Sequence, residues 1–276
     1  MAKWLIDNFI KKEPYNESLD VVLDRLGIEY HAMDYVPFIK DNDTPMDDSE
    51  NVVLYGSVQF CRHYSQDKGF VPGIYYSPSV FLCSQYMTHY PQEWFLNSSS
   101  VFVPFGIFKS NKDWFYSIFN TKNLFIRPDS GFKTFSGLVI HQDEFDYEIG
   151  TLDFLSSVVN QTMIMVGNAY DIREEYRYFI VDKKVVSHSR YKLGDELSIS
   201  EDNNEVCQEL AEKVSQHDYQ LDIAYVCDIG YLSNSEAKII EFNSISSSGF
   251  YKADIEKVVK AIDIAANMEY AGELTL

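Results

Sequence analysis

Residues 224–254 read AYVCDIGYLSNSEAKIIEFNSISSSGFYKAD, and their reading decides the fold. Two apolar runs flank the polar turn Ser233-Asn234-Ser235-Glu236, the pattern of a hairpin. Asp228 interrupts the first run and Gly230 follows it; Glu241 and Asn243 close the second. Side chains alternate faces along a strand, so Glu241 and Asn243 share a face and Phe242 takes the other. If the two runs pair, Asp228 lies beside Glu241 and Asn243. Three oxygen-bearing side chains without Cys or His suit magnesium, which takes one or two carboxylates, keeps waters and shares substrate phosphates. The same residues also suit an ordinary strand end with solvated polar groups, with Asp228 as a buried structural acid.

Two earlier stretches place cations among strands. In NLFIRPDSGFKTFSG, residues 123–137, Arg127 ends a strand and a polar turn with Gly131 leads to Lys133. A glycine-bearing loop with cationic side chains can close over a phosphate, because Gly allows close backbone approach and Arg and Lys supply charge. It also suits a surface hairpin with solvated charges. It is no Walker A loop, since the glycines before Lys133 and the helix after it are missing. In DIREEYRYFIVDKKVVSHSRY, residues 171–191, Glu175 and Arg177 fall on one face. An Arg there can partner an acid or a ligand. The runs on either side of Asp182-Lys183-Lys184 form a hairpin, and Arg190 returns on its second strand. His188 reads as a strand residue rather than a general base.

The rest of the chain bounds the problem. Its 276 residues suffice for one large domain or two modest ones. A net charge of −19 is a poor basis for binding nucleic acid, where affinity comes from Lys and Arg neutralising phosphates. It leaves room for a local anion pocket. There is no apolar run of ~18 residues to span a membrane, and the N-terminal apolar core is too short for a signal peptide. Cys61, Cys83, Cys207 and Cys227 show no metal spacing; they read as reduced thiols of a cytoplasmic protein. A strand over 3–9, a helix with Leu19, Val22, Leu23 and Leu26 on one face stopped by Gly27, and a second strand suggest a βαβ unit. Ser57 is placed to cap a helix beginning at Val58. From Val101 strands dominate, interrupted by helices expected over roughly 150–160, 204–216 and after Asp254. The serine run 98–100 is the boundary candidate.

Taken in order, the blocks RPDSGFKTFSG, EYRYFIV and DIGYLSNSEAKIIEFNSISSSGFY resemble the ATP-grasp superfamily, most closely its phage-enriched clade marked by two arginines and a lysine. The resemblance covers about residues 100–265. It implies an α+β ATP-grasp fold, two lobes gripping ATP, over 99–276, with an N-terminal α/β pre-ATP-grasp domain over 1–98. It implies that Arg127 and Lys133 contact ATP phosphates. Met165 and Val166 would meet adenine through their backbone, and Glu175 would line the nucleotide site. Arg177 and Arg190 would serve the chemistry, and Asp228, Glu241 and Asn243 would hold magnesium. Many relatives carry lysine where Arg127 stands and a longer glycine-rich loop. The implied activity is ATP-dependent carboxylate–amine ligation through an acyl phosphate, on small-molecule or peptide substrates. The alternative is an ATP-binding assembly protein of the same fold without turnover.

Overall fold

The computed structural model describes residues 1–10, 14–37, 43–131 and 134–276. Lys133 lies outside the described residues. The described chain groups into two compact units, one formed by 1–77 with 172–276, the other by 78–171.

The larger unit begins with a parallel sheet. Strands β1 (Lys3–Asp7), β2 (Tyr30–Met33), β3 (Asn51–Tyr55) and β4 (Val71–Gly73) lie in the order β2-β1-β3-β4. Helix α1 (Leu19–Leu26) buries Leu19, Val22 and Leu23, and Gly27 ends it in the left-handed region at φ 66°, where glycine has no Cβ penalty. Helix α2 (Val58–Asp67) is capped by Ser57, whose hydroxyl accepts from the Phe60 N–H at 3.2 Å. β1, α1 and β2 form the expected βαβ unit.

The smaller unit holds helices α3 (Cys83–Tyr86), α4 (Phe105–Ser110), α5 (Lys112–Ile118) and α6 (Phe145–Leu155) with an antiparallel sheet. Strands β5 (Val101–Pro104), β6 (Asn123–Pro128), β7 (Leu138–His141) and β8 (Met163–Asn168) run in the order β5-β8-β6-β7. Its core joins Phe105, Phe108, Phe115, Phe145 and Ile149 to the strand residues Leu124, Ile126 and Ile164. Helix α6 starts five residues before the expected 150, because Phe145 and Ile149 anchor it in that core, and it stops at Ser156. The aromatic run of α4 and α5 shows no strong face in the sequence, which reads there as part of a strand-rich region.

The chain then returns to the larger unit. Strands β9 (Ile172–Val181), β10 (Lys184–Leu193), β11 (Glu196–Ser200), β12 (Ala224–Leu232) and β13 (Ala237–Ser244) build an antiparallel sheet ordered β11-β10-β9-β12-β13. Asp182 and Lys183, at φ 47° and 59°, make the two-residue turn between β9 and β10; two positive φ values in a row give the primed turn whose twist matches the flanking strands. Helix α7 (Glu205–Ser215) is capped by Asn204, which accepts from Val206 and Cys207 N–H. Helix α8 (Ile255–Tyr270) is capped by Asp254, which accepts from Lys257 N–H at 3.0 Å. α8 packs on both sheets of this unit, with Val258, Val259 and Ile262 beside Trp4, Val53, Phe179 and Val226 in one core. All four cysteines are buried and unbridged. Among the described residues, no helix is long and apolar enough to cross a membrane.

Candidate functional site

The five-stranded sheet assembles the acids and one arginine on a single face. Asp228 on β12 stands opposite Arg177 on β9 and opposite Glu241 on β13. Directly paired residues of an antiparallel ladder point the same way. Two-residue alternation adds Glu175 to Arg177 and Asn243 to Glu241. Arg177 donates to Asp228 twice, Nε to Oδ1 at 2.9 Å and Nη2 to Oδ2 at 2.8 Å. Asn243 Nδ2 donates to the same Oδ2 at 3.0 Å. Arg177 Nη1 donates to the Gly249 carbonyl at 3.2 Å.

This pair is buried: Arg177 is 6% exposed and Asp228 1%. Burial works against the guanidinium charge, but the adjacent Asp228 carboxylate outweighs it, and the Arg177 pKa is raised. Two rings flank the guanidinium, Tyr251 at 5.0 Å and Tyr191 at 5.6 Å, within the range of cation–π attraction. The two rings stack on each other at 5.2 Å. Tyr251 holds φ at 53°, a conformation rare for a bulky residue and kept only when its surroundings fix it. Tyr191 donates its hydroxyl to Glu175 Oε2 at 2.5 Å, and Lys192 Nζ reaches Glu175 Oε1 at 3.0 Å. Burial, reinforced by the charges of Asp228 and Glu175, raises the Tyr191 pKa well above its ordinary value, so the phenol stays a donor at neutral pH.

The segment after β13 is tied to the parallel sheet of the same unit. Gly56 N–H donates to the Ser246 carbonyl at 2.9 Å, and Tyr55 Oη donates to the Ser248 carbonyl at 3.0 Å. Ser244 Oγ donates to the Tyr75 carbonyl at 2.7 Å, and the Tyr75 N–H returns to Ser246 Oγ at 3.2 Å. These bonds fix the turn that presents Gly249 and Tyr251 to Arg177.

The donor set fits a hard divalent cation. Asp228, Glu241 and Asn243 offer only oxygen, the ligand type magnesium prefers. Asp228 is shared between Arg177 and Asn243; Asn243 gives its nitrogen to Asp228, so its carboxamide oxygen is the end presented to a ligand. Among the described residues no cluster of three or more His, Cys, Asp or Glu could cage a metal. That matches a cation completed by water and substrate oxygens rather than by protein alone.

Arg190 is not brought to this face. It pairs with Tyr176, which alternation sets on the opposite side from Glu175 and Arg177. There its guanidinium meets Asp202 at 3.0 Å. His188 pairs with Tyr178 on that same far side, and burial lowers its pKa.

In the smaller unit, Arg127 ends β6 and lies buried, directly opposite Met165 of β8. Met165 and Val166 are both buried, and Val166 pairs with Val101 and Ile126. Two residues on, Asp129 accepts from the Ser84 N–H at 3.0 Å and from Ser84 Oγ at 2.6 Å, so the turn after β6 is pinned to the start of α3.

A sequence profile describing an ATP-grasp domain, the second family of its clade, matches residues 109–261, more than half of the chain. The chain belongs to the ATP-grasp family. Its fold agrees. This ATP-grasp chain is similar to D-cycloserine synthetase DcsG, with TM-score 0.65 and 12% identity over 96% of this chain and 100% of that one. It is similar to D-alanine–D-alanine ligase from Bacillus anthracis, at TM-score 0.57 and 10% identity over 99% and 100%. It is also similar to the ATP-grasp ligase PsnB in its complex with minimal precursor, Mg and ADP, at TM-score 0.55 and 11% identity over 96% and 98%. Identities this low carry the fold alone. No curated protein matches at the level of sequence.

Tyr191, Lys192, Gly249 and Tyr251 escaped the sequence reading of the site. Gly249 and Tyr251 stood within a motif block without a role. Tyr191 and Lys192 depend on a register shift between Arg190 and Lys192 that no local pattern announces.

Proposed function

We propose that this ATP-grasp protein is an ATP-dependent carboxylate–amine ligase of the phage-enriched clade with two arginines and a lysine, working in the cytoplasm. Residues 1–98 would be its pre-ATP-grasp domain and 99–276 its ATP-grasp domain. The profile match at 109–261 lies within the latter, and the parallel sheet within the former. The observation that carries the reading is the buried Arg177–Asp228–Asn243 network with Glu241 alongside on one sheet face.

In this reading Glu241, Asn243 and Asp228 would hold magnesium, which when bound neutralises charge on the phosphates. Arg177 fixes the Asp228 carboxylate, its own N–H groups being spent on Asp228 and Gly249. Arg127 is assigned to a phosphate, the backbone of Met165 and Val166 to adenine, and Glu175 to the nucleotide site. Lys133 keeps its proposed phosphate contact from the sequence alone. A substrate carboxylate oxygen attacks the γ-phosphorus of ATP, and the bond to the ADP bridging oxygen breaks. An amine nitrogen then attacks the acyl carbon of the resulting acyl phosphate; phosphate leaves, the nitrogen loses a proton and an amide forms. Such transfer rests on positioning and charge stabilisation, which explains a site without a nucleophilic triad. Substrates of the size range from small acids to peptides fit this class.

The test is ADP release across a panel of carboxylic acids and amines, with hydroxylamine present to trap an acyl phosphate. A hydroxamate formed only with ATP and the right acid supports the ligase. Tight ATP binding with no turnover on any pair supports the ATP-binding assembly protein instead.

A further inference from the structure

The second strand of the β9–β10 hairpin carries two cations close together, Arg190 and Lys192, and the sequence favours the arginine. The register reverses that choice. Arg190 pairs with Tyr176, Lys192 pairs with Glu175, and Tyr191 is the extra residue between them. Such a bulge sets two residues of one strand against one of its neighbour and re-aims the side chains that follow. Its effect here is a change of phase. Arg190 stays on the far side with Asp202, and Tyr191 and Lys192 arrive on the side of Glu175, Arg177, Asp228 and Glu241.

The charges on that side differ in what remains to give. Arg177 is nearly enclosed, and its Nε, Nη1 and Nη2 all donate within the protein. Its charge is matched by Asp228. The Lys192 side chain is 35% exposed, and its ammonium touches Glu175 Oε1. An ammonium has three donors, so that contact takes one. Glu175 in turn is steadied by the Tyr191 hydroxyl. Lys192 is therefore an oriented cation with donors to spare, set beside acids that by themselves repel an anion.

We propose that Lys192 is a further ligand-contacting residue of this site, its ammonium donating to a phosphoryl oxygen of the bound nucleotide, with Glu175 and Tyr191 aiming it. The proposal rests on the nucleotide-binding reading above and adds a residue to it. Its function is electrostatic: a compact cation offsets phosphate charge and supplies a charge-assisted hydrogen bond.

The experiment titrates the full chain with ATP plus magnesium, and separately with adenosine, by calorimetry. It uses wild type, Lys192→Gln, Lys192→Arg and Arg190→Gln. Glutamine keeps a donor for Glu175 and removes the charge, and the melting temperature of each variant checks its fold. Lys192→Gln is expected to weaken ATP binding about ten- to a hundredfold, the range of one charge-assisted hydrogen bond. Adenosine affinity stays put, and Lys192→Arg recovers most of the loss. Unchanged ATP affinity in a folded Lys192→Gln overturns the proposal. So does an equal loss for adenosine, which marks a merely structural residue, or a larger loss in Arg190→Gln than in Lys192→Gln. A wild type that binds no ATP fails the nucleotide reading itself and the proposal with it.

Discussion

Replacing Asp228 with Asn tests the centre of the site through stability alone. The change keeps the volume and removes the charge that compensates a nearly enclosed guanidinium, 6% exposed and bonded twice to Asp228 at 2.9 and 2.8 Å. Leaving one partner of a buried ion pair uncompensated costs about 3–5 kcal/mol. For a folded body of this size each kcal/mol moves the melting temperature by about 2–4 °C. Asp228→Asn should therefore melt roughly 6–20 °C below wild type by calorimetry or far-ultraviolet circular dichroism. A double change, Asp228→Leu with Arg177→Met, should regain most of that loss, because apolar replacement of a buried pair is often neutral or stabilising. The control is Lys260→Gln, which breaks an ion pair to Glu256 of 2.6 Å on the exposed face of α8. Exposed pairs of this kind contribute about 0.3–0.5 kcal/mol. Burial, not distance, is the variable that separates the two. If Asp228→Asn melts within about 2 °C of wild type, or the double variant melts below the single one, the compensated buried pair is the wrong description.

Three other outcomes are expected. Glu241→Gln, at a half-buried position, should leave the melting temperature nearly unchanged and lower magnesium-dependent ATP affinity at least tenfold; equal affinity in calorimetry would remove Glu241 from the metal set. Asp222, pushed up to about 7 by burial despite a bond from the Ile223 N–H, keeps a proton that the unfolded chain, near 3.9, gives up. Stability should thus fall as pH rises from about 4 to about 7 and level off above that, and Asp222→Asn should flatten the slope; identical slopes in melts at pH 5 and pH 8 would contradict the assignment. Gly56→Ala would set a Cβ against the Phe60 ring and 2.8 Å from Asp7 Cβ. Overpacking of this kind costs about 1–3 kcal/mol, so a melting temperature equal to wild type would show that the end of β3 yields more readily than it is packed.

What the sequence by itself determined is what short-range rules govern. Alternation along one strand put Glu241 with Asn243 and Glu175 with Arg177 on common faces, and both pairings hold in the sheet. Gly27, Ser57 and Asp254 marked helix ends, since caps answer to the unsatisfied N–H and C=O groups of the adjoining turn. The ordered motif blocks pointed to the family. The tertiary structure alone decided which cation of the second hairpin strand meets the acids, because one extra residue at Tyr191 shifts the phase of everything after it. It alone paired Arg177 with Asp228, 51 positions away, through the β9–β12 register. It also joined residues 1–77 to 172–276 in one unit. Each of these is a long-range match between segments, set by which faces must be buried together, and no local window of the chain contains that information.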